Sequence, residues 1–272
     1  MSRALFNPLR VFVGTSASGE DAEACLVCEA SLRRYASAPL EITWLRLSHA
    51  PGDSGYGWNT ERWGTPWTGL RWAVPALCGW EGRAVYLDCP QIVVGDVAVL
   101  AGVEMPPRSM VLLRREGPSL LTGCLVWDCA AARGPVPDLA ALRADIGAHQ
   151  MMGSLLVDHP HLVGDLPVGW GVQDAAYARA PAEVVGSVHC ANLRMQPHAR
   201  LALPRLRHAK REHWYREVRM RHFCSGLEAL FDREYAAALE AGYSVERYVP
   251  NGEAYGAYAM AGAERSERGE RV

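Results

Sequence analysis

Apolar and polar positions along this chain change their period several times, and the changes mark the elements. Residues 10–15, RVFVGT, form a short apolar run that reads as a buried strand ending at Gly14. A loop of Ser16, Ser18 and Gly19 follows. From Glu20 to Tyr35 the period becomes helical, with Ala24, Val27, Cys28, Ser31 and Leu32 on one face. Acids stand early in this helix and Arg33-Arg34 late, the polarity a helix dipole favours. Pro39 ends the connection, and Leu40–Leu47 alternates as a second strand. This β-α-β opening predicts an α/β fold with a parallel sheet.

Residues 49–66 are rich in Gly, Pro, Ser and Asn and read as a long loop, a kind of segment that is usually functional or mobile. Thr68–Leu77 reads as a helix with Pro75 near its end. Residues 83–87 form a strand, and 91–100 a strand and a turn. Met110–Arg114 and Leu120–Trp127 are two strands on either side of Gly117-Pro118. Pro135–Gly147 contains a helix starting near Asp138, and Val184–His189 is a short strand ending on a histidine. From Pro204 the pattern changes. Residues 205–222, RLRHAKREHWYREVRMRH, carry seven Arg or Lys against two Glu without one clean apolar face, and the helical pattern runs on through Phe223–Ala241. The expected organisation is a single domain over 1–203, a basic helical extension over 204–260 and a disordered polar tail over 261–272. No internal repeat is visible.

Composition narrows the picture only a little. The chain has 272 residues, 49% apolar and 21% charged, enough for a sizeable core and against global disorder. A net charge of −2 selects no class of partner. The opening MSRALFNPLRVFVG has its apolar patch broken by Pro8 and Arg10, which does not read as a signal peptide. No run is long enough to cross a bilayer, so a cytoplasmic location is expected. Cysteines at 25, 28, 78, 89, 124, 129, 190 and 224 are scattered and read as reduced thiols. Cys25 and Cys28 have zinc-like spacing, but no second pair completes a ligand set, and both fall on the apolar face of a helix as small core residues.

The chemistry begins at RAVYLDCPQIVVGD, residues 83–96. The apolar run Ala84–Leu87 stops at Asp88. Taken alone, Asp88 is a strand-end cap, and His189 after its own strand is a hydrogen-bonded core residue. Other segments stand in order around them: Gly14-Thr15-Ser16, Arg71-Trp72-Ala73-Val74-Pro75, Asp88-Cys89-Pro90, Trp127-Asp128, Gly164-Asp165-Leu166-Pro167-Val168-Gly169-Trp170, and His189 in VHCANLRMQPH. This order resembles the GT-A glycosyltransferases, in particular the family-8-like nucleotide-sugar transferases and their bacterial and phage relatives, over residues 10–200. Those relatives carry an Arg-aromatic-x-x-Pro helix, a strand ending in Asp-x-Asp and a later strand ending in His.

The resemblance implies a GT-A, Rossmann-like mixed sheet with flanking helices, and transfer of a sugar from a nucleoside-diphosphate sugar to a hydroxyl acceptor with retention of anomeric configuration. It implies a divalent metal, Mn or Mg, held by Asp88 and His189 as a Lewis acid for the departing diphosphate. Arg71 would orient Asp88, Gly14, Thr15 and Ser16 would contact the nucleoside, and Arg194 and His198 would supply positive charge. Asp128 and Asp165 are the candidates for the acceptor side. One departure stands out: Pro90 occupies the second Asp-x-Asp position and offers no ligand. Three outcomes are open. The metal is held weakly, or it is absent and Arg194, Arg200 or His198 neutralises the phosphates, or activity is lost. A second departure is Asp158-His159-Pro160-His161, where the relatives place acidic residues.

Trp80, Trp127 and Trp170 read as core aromatics before they read as sugar-stacking faces. The basic stretch 205–222 reads as a solvated face, or as a phosphate-tracking surface with Trp214 and Tyr215 interleaved. The second reading suggests a polyanionic acceptor, such as a hydroxymethylated base in phage DNA modified in the host cytoplasm, or an anionic membrane surface. The rival readings are a non-catalytic sugar-nucleotide-binding module of the same fold and a nucleic-acid-binding protein.

Overall fold

The computed structural model describes residues 8–250. Its first apolar run is β1 (Leu9–Gly14), and helix α1 (Ala22–Tyr35) returns the chain so that β2 (Leu40–Leu45) pairs with β1 in parallel. Nearly all of α1 is buried, including Cys25 and Cys28, which pack in the core among Val11, Val13 and Leu87. The Thr68–Leu77 segment is a 3₁₀ turn over Leu70–Ala73 that passes into the short helix α2 (Val74–Leu77). Pro75 falls in the first turn of α2, where its missing N–H costs no helix bond. Strand β3 (Arg83–Asp88) then lies on the other side of β1, parallel to it, with Gly14 opposite Asp88.

At Cys89-Pro90 the chain leaves the main sheet and enters β4 (Gln91–Val93). Helix α3 (Val99–Gly102) follows, then a hairpin of β5 (Val111–Glu116) and β6 (Ser119–Asp128) turning at Gly117. Strand β6 runs antiparallel to both β5 and β3. The Asp138 carboxylate caps α4 (Leu139–Ala144) by accepting the Ala141 N–H at 2.8 Å, as an N-cap residue does. The remaining elements are α5 (Ala148–Asp158), β7 (Val163–Asp165), β8 (Val172–Gln173), α6 (Asp174–Arg179), β9 (Ser187–His189), α7 (Ala199–His208) and α8 (Ser225–Glu240).

The result is a mixed α/β fold. A six-stranded sheet has the order β2-β1-β3-β6-β5-β7, and a three-stranded sheet the order β4-β9-β8. One face of the large sheet packs on α1, behind which lies α8; the other face, which presents Trp127 of β6, packs on Trp67, Trp72 and α5. Leu227, Leu230, Phe231 and Tyr248 share the core of β1 and α1, so the described part of the 204–260 extension has no separate core.

The structure corrects the continuous basic helix. Helix α7 stops at His208, residues 209–224 form an irregular strap, and α8 begins only at Ser225. Lys210 takes a left-handed φ of 54°, and His213, Trp214 and Tyr215 are all buried, which a solvated helix would not allow. The tail expected over 261–272 lies outside the described residues.

Candidate functional site

Parallel strands deliver their last residues to one edge of a sheet, and open α/β folds use that edge for ligands. Here β1 ends at Gly14 and β3 at Asp88, side by side. The sharp exit at Cys89-Pro90 sends the chain into β4, which pairs antiparallel with β9 so that Gln91 faces His189. Pro90 has a structural role in this turn: its carbonyl accepts the Cys190 N–H at 2.7 Å and extends the β4–β9 pairing by one residue. Asp88 and His189 thereby meet, with Oδ2 and Nε2 3.6 Å apart.

Asp88 is buried and heavily engaged. The Tyr86 hydroxyl donates to its Oδ1 at 2.7 Å, and Arg71 donates one terminal nitrogen to both oxygens at 3.1 and 3.3 Å. All three guanidinium nitrogens are engaged: Nε donates to the Thr68 carbonyl at 2.9 Å, and the other terminal nitrogen to the Thr122 carbonyl at 2.7 Å and to the Thr122 hydroxyl. The Tyr86 ring lies under the guanidinium, 5.4 Å from its centroid. Burial, reinforced by the charge of Asp88, pushes the Tyr86 hydroxyl well above its ordinary pKa, so it remains a donor. Burial pushes the His189 imidazole below its ordinary value; Asp88 opposes this and Arg71 adds to it.

Gly123 on β6 makes the approach possible. A Cβ there would overlap the His189 ring and come within 3.1 Å of Asp88 Oδ2. The Gly123 carbonyl also accepts from the Gln91 side chain, whose oxygen accepts the Ser187 hydroxyl at 2.8 Å, so Gln91 holds β9 against β6. Gln173 on β8 is in register with His189 on its other side, so Gln91, His189 and Gln173 form one row on one face of the small sheet. On α5, His149 Nδ1 accepts the Trp72 indole N–H at 3.1 Å; burial and then the Arg71 charge push its pKa down to about 4. Sequence reasoning found none of Gln91, Gln173 and His149, because uncharged or single polar residues in short segments leave no period to read.

The other expected site residues divide. Gly14 is pressed between the Tyr86 hydroxyl and Trp67, next to Asp88. Thr15 and Ser16 are buried; the Thr15 hydroxyl meets Cys25 Sγ at 3.1 Å, and Ser16 Oγ accepts the Asp21 N–H at 3.1 Å. Arg194 is an exposed partner of Glu217 and Arg200 of Asp232. His198 is buried, with Nε2 3.0 Å from Asp21 Oδ1. Asp128 and Asp165 do not join the cluster. Because β6 runs antiparallel, Asp128 lies beside Arg83, the first residue of β3, at the opposite edge of the sheet from Asp88. Asp165 ends the edge strand β7, is 73% exposed and pairs with Arg115 at 2.9 Å.

A second cluster was invisible to sequence. Asp21, just before α1, accepts from His198 and His213 at Oδ1, at 3.0 and 3.1 Å, and from the Trp214 indole at Oδ2, at 2.7 Å. Burial pushes the Asp21 carboxyl up, but the facing imidazoles outweigh it and hold it well below its ordinary value. Among the described residues, these three ligand-bearing side chains converge within 4.8 Å. Their hydrogen bonds do not suit a cation. His213 Nδ1 receives the Tyr215 N–H and an Arg219 N–H, both at 3.0 Å, so the ring's own proton sits on Nε2 and points at Asp21. The group is a hydrogen-bonded clasp that fixes the strap. Arg205 pairs with Glu23, Arg211 donates to the Ser18 carbonyl, Arg216 pairs with Glu212 and Arg221 with Glu228, so most of the basic stretch is spent within the protein.

No family model matches the chain, and no curated protein matches it by sequence. Solved structures do share its fold. The galactosyltransferase LgtC, in complex with donor and acceptor sugar analogs, superposes with a TM-score of 0.55 at 9% identity, over 84% of this chain and 96% of that one. The apo glycosyltransferase GlyE of Streptococcus pneumoniae TIGR4 gives 0.54 at 14% identity, over 86% of this chain and 63% of that one. The apo bifunctional glycosyltransferase WbbM gives 0.50 at 13% identity, over 71% of this chain. The chain spans 47% of the length of WbbM and under two thirds of GlyE. Its mixed α/β fold is that of the GT-A glycosyltransferases.

Proposed function

We propose that this chain transfers a sugar from a nucleoside-diphosphate sugar to a hydroxyl acceptor, in the retaining manner of family-8-like enzymes. The observation that carries the reading is the meeting of Asp88 and His189, 3.6 Å apart, at the ligand-binding edge of a GT-A sheet. His189 and, beside it on the small sheet, Gln173 offer neutral hydrogen-bonding groups to the sugar and the diphosphate, while the buried Gln91 amide is spent holding β9 against β6. A hydroxymethylated base in phage DNA is the less favoured acceptor, because the arginines that suggested it are paired internally.

The test is calorimetry with a panel of UDP- and GDP-sugars, followed by product analysis with glycan and hydroxymethylated-DNA acceptors. Binding of one donor in the micromolar to millimolar range, with transfer, is expected. No binding of any donor overturns the proposal. Binding without transfer or hydrolysis favours the second reading, a non-catalytic nucleotide-sugar module, for which the loss of a carboxylate at Pro90 is the specific support. No helix among the described residues is long and apolar enough to cross a membrane, and a cytoplasmic site of action remains part of the proposal.

A further inference from the structure

A nucleoside diphosphate departs with negative charge on its oxygens, and a divalent cation held by strand-end carboxylates is one way to meet it. Asp88 is poorly equipped to hold one. Oδ1 accepts from Tyr86 and Arg71, Oδ2 accepts from Arg71, and the single negative charge already faces one guanidinium at 3.1 Å. Pro90 presents no side-chain ligand, and its carbonyl is committed to the Cys190 N–H. His189 adds one nitrogen. Magnesium and manganese seek several hard oxygens with net negative charge, and these residues supply neither.

Arg71 also cannot step aside. Its three nitrogens are held by Thr68, Thr122 and Asp88, and its guanidinium lies over the Tyr86 ring. The side chain is 7% exposed, so its charge is little screened, and a guanidinium does not deprotonate in a protein. A dication bound to Asp88 Oδ2 and His189 would stand next to this fixed positive charge with no second carboxylate to balance it.

We infer that the protein binds its nucleoside-diphosphate ligand without a protein-held divalent cation, and that Arg71 is the resident cation of the site. Its work is to cancel the charge of Asp88, which would otherwise repel the diphosphate. Buried and held at all three nitrogens by the protein, Arg71 is a positioning residue and not a ligand to the substrate. The identity of the ligand rests on the proposed function; the ligand-poor, charge-neutral character of the site does not.

Two measurements test the inference on the full chain. Free Mn²⁺ is followed by electron paramagnetic resonance during titration of the wild type and of Pro90→Asp. The wild type is expected to bind no stoichiometric Mn²⁺, and the variant to tighten Mn²⁺ binding by at least about tenfold, the scale on which ligand charge tunes affinity. UDP and GDP are then titrated calorimetrically in EDTA and in Mn²⁺, and the wild-type Kd values are expected to agree within about twofold, well under 1 kcal/mol. Stoichiometric Mn²⁺ on the wild type, nucleotide binding that EDTA abolishes, or a folded Pro90→Asp with no gain in Mn²⁺ affinity would each overturn the inference. If Pro90→Asp does not fold, the wild-type titration decides alone. Absence of nucleotide binding in both conditions overturns the proposed function instead, and the Mn²⁺ titration still decides the metal question.

Discussion

Trp214 donates its indole N–H to Asp21 Oδ2 at 2.7 Å, across a separation of 193 residues. The same indole packs edge-on against Trp67, with ring centroids 5.3 Å apart, and Trp67 in turn presses on Gly14 at the end of β1. The strap therefore sits two aromatic layers away from the strand end where Asp88 stands. One buried carboxylate organises the whole arrangement.

Asp21→Ala leaves the N–H groups of His198, His213 and Trp214 without their acceptor. Removing one partner from such a buried charged network costs about 3–5 kcal/mol. The melting midpoint in urea should fall accordingly, and trypsin should cut within the arginine-rich strap of the variant well before the wild type. The carboxyl is held below its ordinary pKa in the fold. The stability it contributes is therefore complete above the unfolded value of about 3.9 and is lost as the pH falls through the depressed one. A variant with wild-type stability and wild-type protease resistance at pH 7 would mean the clasp holds nothing.

Gly123→Ala tests the approach of Asp88 and His189 directly. The added methyl overlaps the His189 ring and crowds Asp88 Oδ2, so the imidazole must move or β6 must shift. Displacing a site group by about 1 Å can cost on the order of 10²-fold in turnover. A comparable loss in sugar-transfer rate is expected, with the fold retained by circular dichroism. Unchanged turnover would show that His189 does not contribute from this position.

Asp128→Asn and Asp165→Asn should be nearly silent. Asp128 lies at the far edge of the sheet and Asp165 is an exposed partner of Arg115. An exposed substitution such as Asp165→Asn usually shifts stability by no more than about 0.5 kcal/mol, and in half-buried Asp128→Asn the amide oxygen keeps an acceptor for the Ala131 N–H. Transfer rates within about twofold of wild type are expected in both, since no lost contact involves the site. A loss of activity in either would require an acceptor that reaches much further than the Asp88 edge.

These two aspartates also show where sequence reading stops. Both end apolar runs, as Asp88 does, and pattern alone treats the three alike. Strand direction separates Asp128 from Asp88, whereas Asp165 ends a strand of the same direction as β3 and is set apart by its exposed place on the outer strand β7. The end of β3 opens on the ligand edge because β1 and β3 are parallel, whereas antiparallel β6 carries Asp128 to the opposite edge. The β-α-β opening, the Asp138 cap and the Asp88–His189 encounter were legible because each is written in a local period, a cap residue or a strand end. The Asp21 clasp was not, since Asp21 reads as the polar start of a helix and His213 and Trp214 as members of a basic run. Their meaning arises from contacts nearly 200 residues apart, which no local period encodes.

His149 supplies a pH signature. Its Nδ1 accepts the Trp72 N–H at 3.1 Å, and burial, then the nearby Arg71 charge, push its pKa from 6.5 down to about 4. His189 is shifted in the same direction by burial. For both rings the unfolded chain binds a proton at a higher pH than the folded one, so stability rises with pH across that interval. The contribution of His149 is present in full above 6.5 and is lost as the pH falls toward about 4. Urea melts should show a lower midpoint at pH 5 than at pH 7. His149→Gln keeps an acceptor for the Trp72 indole and removes the titrating group, so it should shrink that difference, with His189 accounting for what remains. A variant whose pH 5 and pH 7 midpoints differ as widely as those of the wild type would show that His149 is not held neutral by its place beside Trp72 and Arg71.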